Sequence, residues 1–305
     1  MEYCIIGPGA VGLLLGSYIH KATGMPVRLV VRSRRHVDAL RGGVRLTGLV
    51  ESWYPAEPRL PGGGVECGSA LVTVKAPGFR WALDAALRIG VESMLVVTNG
   101  LGLVEEAARH GLRAWHGAAW FGVERLDYST VRVNGLGPLS AGPVRGYSVS
   151  KPEVVSVLEA GGAQVEVYDD IEPVRWLKAS VNAALNPVAA LARVRNGAVL
   201  ENSMLWSVAS RAAREAGAVA EALGISLPGD PVEALRRTIE ATRSNVNSML
   251  ADLLACRVTE VEWINGYIYR RAGEAGVNAD TVGILYMLVK GLEETCGAEA
   301  WKVRS

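Results

Sequence analysis

An excess of charge of one sign is missing. Lysine and arginine total 32 against 31 aspartates and glutamates, a formal net charge of +1 over 305 residues. With no strongly basic surface, nucleic acid is not an expected partner. Long apolar runs are missing too. Half of the chain is hydrophobic, yet no stretch reaches membrane-spanning length without a charge, glycine or proline, so no membrane partner is expected. The N-terminus opens on a strand pattern and lacks the charged-then-apolar pattern of a signal peptide. Cysteine is sparse. Cys4, Cys67, Cys256 and Cys296 lie far apart, and none forms a CxxC or other metal spacing. A metal site and a secreted disulfide framework are therefore not expected. The default is a cytoplasmic globular protein with reduced thiols. Lysine is scarce beside arginine, so each lysine is worth examining.

The length is enough for two domains of ordinary size, and the apolar content is enough for a sizeable core. Up to about residue 170, short β-branched runs alternate with helical patterns. "EYCII" and "PVRLVV" read as strands around the helix "AVGLLLGSYIHKA". "GSALVTVKA" and "ESMLVVTNG" contain apolar runs suited to strands buried on both faces. "LRAWHGAAWFGVERL", "STVRVNG", "PLSAG" and "AQVEVYDD" read as later strands. This alternation predicts an α/β fold, a doubly wound Rossmann-type domain with a parallel sheet over residues 1–169. Beyond it the strand signal nearly vanishes. "NSMLWSVASRAAREAGAVAEALGI", "PVEALRRTIEATR" and "NADTVGILYMLVKGLEETCG" are helical, with breaks at "ISLPGDP" and "VNAD". A C-terminal all-helical domain is expected over 170–305. Its apolar helical faces suit a homodimer, and core packing explains them equally well.

"GPGAVG" places Gly7, Gly9 and Gly12 directly after a strand and at the opening of a helix. The first glycine permits a tight turn, the second a close approach to a pyrophosphate, and the third close helix–strand packing. Gly7 to Gly12, with Pro8, Ala10 and Val11 between them, form the expected dinucleotide loop. The second strand ends in "LVVRSRRH", with Arg32 where an NAD site usually carries an acid. An arginine can grip a 2′-phosphate that a carboxylate would repel, which favours NADPH. Arg34 and Arg35 are equally well read as a solvated helix start. Lys75 and Asn99 end two further strands, where ligands of parallel sheets bind. The "NG" after Asn99 is also an ordinary turn dipeptide.

"KASVNAALNP" puts Lys178, Asn182 and Asn186 at i, i+4 and i+8. Successive members rotate by only about 40° on a helix, so they share a face. Among buried alanines a lysine is costly unless partnered. Facing a cleft, it can be a proton donor with a tunable pKa. An ordinary helix with an exposed polar stripe remains the other reading. Pro187 cannot donate to the carbonyl of Ala183, so it should kink the helix and leave that carbonyl open.

Taken in order, "GPGAVG", "VKA", "TNG", "KASVNAALNP", "RNG" and "SNVNSMLADLLACRVTEVEWINGYI" resemble the ketopantoate reductase (2-dehydropantoate 2-reductase) family over nearly the whole chain. The last segment is the most distinctive, with Ser248-Met249-Leu250, Thr259-Glu260 and Ile264-Asn265-Gly266. The resemblance implies NADPH-dependent reduction of a small keto acid, with Lys178 as general acid. Glu260 would hold both that lysine and the cofactor. Asn182, Asn186 and Ser248 match substrate positions, joined by Asn99, Asn196 and Asn245. Lys75, Asn99 and Val123 join the glycine loop and Arg32 on the cofactor side. Relatives often carry threonines where "HGAAWFG" has Ala118 and Ala119, so no polar role is expected there. No metal is implied, because lysine would stabilise the developing alkoxide. A relative acting on another small 2-oxo acid, and an NADP(H) sensor without chemistry, are the alternatives.

Overall fold

The structure is a computed structural model that describes residues 3–62, 64–147 and 149–296. It divides into two compact units. One runs to Thr98 and resumes over Leu103–Ile171. The other takes Asn99–Gly102 and the chain from Glu172 onward.

The first unit carries β1 (Tyr3–Ile6), α1 (Ala10–Thr23), β2 (Val27–Val30), α2 (Arg34–Leu40), β3 (Val44–Gly48), β4 (Ser52–Tyr54), β5 (Ala56–Arg59) and β6 (Ser69–Val72). There follow α3 (Phe79–Arg88), β7 (Ser93–Val97), α4 (Leu103–Arg109), β8 (Arg113–Ala119), β9 (Gly122–Arg125), β10 (Thr130–Gly135), β11 (Leu139–Gly142), α5 (Glu153–Ala160) and β12 (Val165–Val167). Eight strands form the main sheet in the order β12-β11-β8-β7-β6-β1-β2-β5. The run from β8 to β5 is parallel throughout. β11 joins it antiparallel, and β12 pairs parallel with β11. Every residue of β6 and β7 is buried, as continuous apolar strands between two helical layers must be. β1 pairs with β2 on one side and β6 on the other. The strand order reverses there, which makes the carboxyl ends of these strands the place where a parallel sheet of this kind binds its ligand.

Not every later strand joins this sheet. "STVRVNG" does not extend the main sheet. It forms β10 of a separate sheet, β4-β3-β10-β9, in which β9 and β4 lie antiparallel to their neighbours. Its residues explain why. Val131 and Val133 are buried while Arg132 and Asn134 are exposed, so the strand has one dry face where a central parallel strand needs two.

The second unit is helical: α6 (Glu172–Ala192), α7 (Asn196–Glu201), α8 (Ser203–Ala222), α9 (Pro231–Ala241), α10 (Ser248–Leu254), α11 (Tyr267–Ala275) and α12 (Asp280–Thr295). A π-helical turn, Glu262–Gly266, precedes α11. Alanines of α6 and α8 (Ala179, Ala183, Ala184, Ala209, Ala212, Ala213 and Ala216) are fully buried in one core with Trp176 and Ile268. Small side chains let two helix backbones approach closely, so α6 runs through the middle of the unit.

The thiols are not reduced. Cys4 pairs with Cys67 in the first unit, and Cys256 pairs with Cys296 in the second. The Cα atoms stand 6.0 and 5.5 Å apart, well within bridging range. Distance along the chain hid this, because folding brings together residues 63 and 40 positions apart. Disulfides also occur in intracellular proteins of hyperthermophiles, so the pairs do not by themselves place the chain outside a cell. Among the described residues no helix is long and apolar enough to cross a membrane.

Candidate active site

In the first unit the glycine turn follows β1. Gly7 takes a φ of +64°, a conformation glycine adopts without strain, and its amide donates to the Val30 carbonyl at 2.9 Å. A Cβ on Gly12 would collide with the Thr73 side chain, so α1 can lie close to the sheet only with glycine there. Gly9 is the N-cap of α1 and caps it with no side chain. The first-turn amides of a 14-residue helix are thus left for an anion. Ala10 and Val11 of that turn pack on the core of the unit.

A cationic cluster lies around the end of β2. Arg32 is exposed just past the strand. Arg35 and Arg125 lie over the Tyr128 ring, 5.1 and 5.5 Å from its centroid. His36 meets the same ring edge-on at 4.8 Å. Burial lowers the pKa of His36 below its ordinary value, and the positive charges of Arg125, Arg32 and Arg35 lower it further. Arg125 reaches back to the glycine turn, where its Nη1 donates to the Pro8 carbonyl at 3.3 Å. Neither Arg125 nor Tyr128 was singled out in the sequence. They lie on β9 and the turn after it, far along the chain from the glycine motif, and no local pattern marks them. Lys75 is exposed after β6, and Val123 of β9 is half-buried against the core.

In the second unit Lys178, Asn182 and Asn186 lie along α6 as their spacing requires. The Lys178 ammonium is drawn down to about 8, chiefly by burial, and the negative charge of Glu260 opposes that fall. Glu260 is itself buried and accepts a hydrogen bond from the Asn99 side chain at 3.2 Å. Asn99 belongs to this unit with the loop Asn99–Gly102, whose Leu101 amide donates to the Trp263 carbonyl at 2.9 Å. Asn186, Ser248, Met249, Asp252, Glu260 and Ile264 line one small cleft. Lys178, Glu260, Asn99, Asn186 and Ser248 are therefore linked through Glu260. Asn182 is half-buried on the same helix.

Asn196 and Asn245 are placed differently. Asn196 is buried, and its amide nitrogen donates to Thr242 Oγ1 at 2.9 Å. Asn245 is exposed, and its carbonyl accepts from the Asn196 amide at 3.0 Å. In this unit Asn247 joins the expected residues. It caps α10 by accepting from the Leu250 amide at 3.0 Å. Its own amide nitrogen reaches Asn196 Oδ1 and the Asn186 carbonyl, both at 3.4 Å. An asparagine directly before an apolar run is a helix-start signal, so this role was available in the sequence.

A glycine turn on a parallel sheet, a cationic end to its second strand, and a desolvated lysine beside a carboxylate define a dinucleotide-dependent oxidoreductase. The chain belongs to the ketopantoate reductase PanE/ApbA family, whose model matches residues 3–146, with the C-terminal model of the same family matching residues 170–293. The 2-dehydropantoate 2-reductase of Archaeoglobus fulgidus is 33% identical over 95% of this chain and 97% of its own. That of Pyrobaculum aerophilum is 31% identical over 96% and 99%. Among solved structures, a PanE/ApbA family ketopantoate reductase from Ralstonia eutropha JMP134 superposes with a TM-score of 0.86 at 25% identity, covering 97% of this chain and 99% of its own.

Proposed function

We propose that this chain reduces 2-dehydropantoate to pantoate with NADPH, on the route to pantothenate and coenzyme A. Residues 1–169 would hold the cofactor, and 170–305 would bind the keto acid and carry the proton donor. The observation that carries the reading is Lys178, drawn down to about 8 with Glu260 beside it. Glu260 in turn shares a cleft with Asn186 and Ser248. The residues of the N-terminal unit suit the cofactor. The uncapped first turn of α1 offers amides to a diphosphate. Arg32 is assigned the 2′-phosphate, in a positive field to which Arg35 and Arg125 contribute. Gly7, Pro8, Ala10, Val11, Lys75 and Val123 complete that side.

Bound NADPH supplies the hydride for the ketone carbon. The ketone oxygen then gathers negative charge, which Lys178 stabilises and protonates. A pKa of about 8 leaves the lysine mostly protonated at neutral pH, yet willing to give the proton up. Glu260 keeps the ammonium charged and oriented. Asn99, tied to Glu260, is suited to ribose and substrate. Asn182, Asn186 and Ser248 would hold the carboxylate and hydroxyl, with Asn196 and Asn245 at the edge of that set.

The test is NADPH oxidation with 2-dehydropantoate, with other 2-oxo acids and with none. Oxidation should depend on 2-dehydropantoate and run faster with NADPH than with NADH, and Arg32→Asp should narrow that gap. Activity confined to another 2-oxo acid would reassign the substrate. Tight NADPH binding with no oxidation would make the chain a sensor.

The finer assignment of partner is a second copy of this chain, in the cytoplasm. Ile284, Met287 and Leu288 of α12 are more than half exposed, at 54%, 55% and 52%. Their i, i+3, i+4 spacing makes one stripe. A fold neighbour from Staphylococcus aureus, at 16% identity, is described as a dimeric ketopantoate reductase. Light scattering should give a dimer mass that Leu288→Glu reduces to a monomer. A monomer mass for the unaltered chain at every concentration rejects the assignment.

A further inference from the structure

Asn265 is a buried polar side chain that the proposed mechanism leaves unused. It lies in the π-helical turn directly after Glu260 and is fully buried. Its Nδ2 donates at 2.9 Å to the carbonyl of Ala183, on the helix that carries Lys178. That carbonyl is the one Pro187 cannot serve. Pro187 lies inside α6, and a helix carbonyl normally accepts from the amide four residues on, which proline lacks. The helix thus opens an acceptor between Asn182 and Asn186, and a side chain from the Glu260 turn occupies it. The amide orientation is set by chemistry, since only the nitrogen can face a carbonyl. The other end of the amide gains nothing: Asn265 Oδ1 is buried and finds no donor among the described residues. An unpaired buried acceptor is unfavourable, so the residue is an expensive way to fill space.

The turn is held on its other sides as well. The Glu260 carbonyl accepts from the Trp263 and Ile264 amides, both at 3.1 Å, and Val261 accepts from Gly266 at 2.9 Å. Glu262 takes the Tyr286 hydroxyl at 2.6 Å. Thr259, just before Glu260, donates from its amide and its hydroxyl to the Glu293 carboxylate, at 2.7 and 2.6 Å. These bonds tie the turn to itself and to α12. The Asn265–Ala183 bond ties it to α6.

We infer that Asn265 is a positioning residue: by taking the carbonyl that Pro187 leaves open, it sets Glu260 against Lys178. This rests on the reading of Lys178 as the general acid. A misplacement of about 1 Å can cost on the order of 10²-fold in rate, so loss of the tether should act on turnover.

The test uses Asn265→Leu, which keeps the volume and removes the orphan acceptor, alone and combined with Pro187→Ala. The alanine restores an N–H that can close the bond to Ala183 within the helix. Asn265→Leu should lower kcat by about 10–100-fold, a larger change than in NADPH affinity by fluorescence titration, because the glycine turn and Arg32 still hold the phosphates. The basic limb of the kcat profile should move to lower pH, because Glu260 no longer raises the lysine pKa. Adding Pro187→Ala should restore the melting temperature but neither kcat nor the limb. If the double variant recovers both, Asn265 only satisfies a carbonyl and the inference fails. It also fails if Asn265→Leu leaves kcat and the limb unchanged. The pKa of Lys178 is measured separately, by pH-dependent labelling with an amine reagent and peptide mass spectrometry. A lowered value in Asn265→Leu supports the tether even where the unaltered chain reduces no keto acid, an outcome that would sink the functional reading alone. An unchanged value overturns the tether.

Discussion

At the scale of the residue, Lys178 carries two opposed requirements. Burial disfavours its charge, and catalysis needs the charge present and the proton loosely held. The balance at about 8 gives a prediction for rate and another for stability. Reduction should fall as pH rises through about 8, as the ammonium loses its proton. Lys178→Met should lower kcat by about 10²–10⁴-fold, the usual range for a general acid. The same variant should melt at a higher temperature at pH 7. The sign follows from linkage. The folded-state pKa is depressed, so below pH 8 the folded protein bears the cost of burying a charge that the unfolded chain keeps in water. Between about 8 and the ordinary 10.5 the folded lysine sheds its proton first, and that cost is relieved. The advantage of methionine should therefore shrink across that window in melts run from pH 7 to 11. A folded Lys178→Met protein that turns over at a near-normal rate would remove the lysine from the mechanism.

At the scale of the element, legibility followed the range of the interaction. The stripe on α6 depends only on spacing within one helix, and Lys178, Asn182 and Asn186 could be placed from the letters alone. The glycine turn is also local: strand, turn and helix start within a few residues, and Gly7 takes the positive φ the motif requires. Pro187 was half legible. Its missing N–H could be read from the sequence, but Asn265, which answers it from 82 residues away, could not. Arg125 is the same case on the cofactor side. It looks like a surface arginine on a polar strand until folding brings β9 back to the Pro8 carbonyl. The second sheet was not legible for a related reason. Alternation in β10 marks a strand with one dry face, but not which sheet it will join. Pairing between β10 and β3 is parallel and long-range, and nothing in either strand specifies its partner. Local chemistry was visible, and long-range partners were visible only where the family resemblance supplied them, as it did Glu260 for Lys178.

At the scale of the whole molecule, each unit carries its own covalent staple. Cys4–Cys67 ties the first strand to the approach to β6, and Cys256–Cys296 ties the end of α10 to the end of α12. The second closes a segment of 40 residues that contains Glu260 and the π-helical turn. Cross-links over such separations restrict the unfolded chain, typically stabilising by about 2–4 kcal/mol each. The cross-links lie in different units, so their losses should be nearly independent. Cys4→Ser and Cys256→Ser should each lower the melting temperature, and the double variant should lower it by close to the sum. A reductant should do to the unaltered protein what both substitutions do together. The two differ in consequence for the site. Cys256→Ser loosens the segment between Ser248 and Glu260, so it should also reduce turnover below the melting range, whereas Cys4→Ser should leave turnover there unchanged. Thiol titration of the denatured, unreduced protein provides the first check. Finding no reactive thiol supports both pairs, and finding four means that neither bond forms and that the cysteines are the reduced thiols their spacing first suggested.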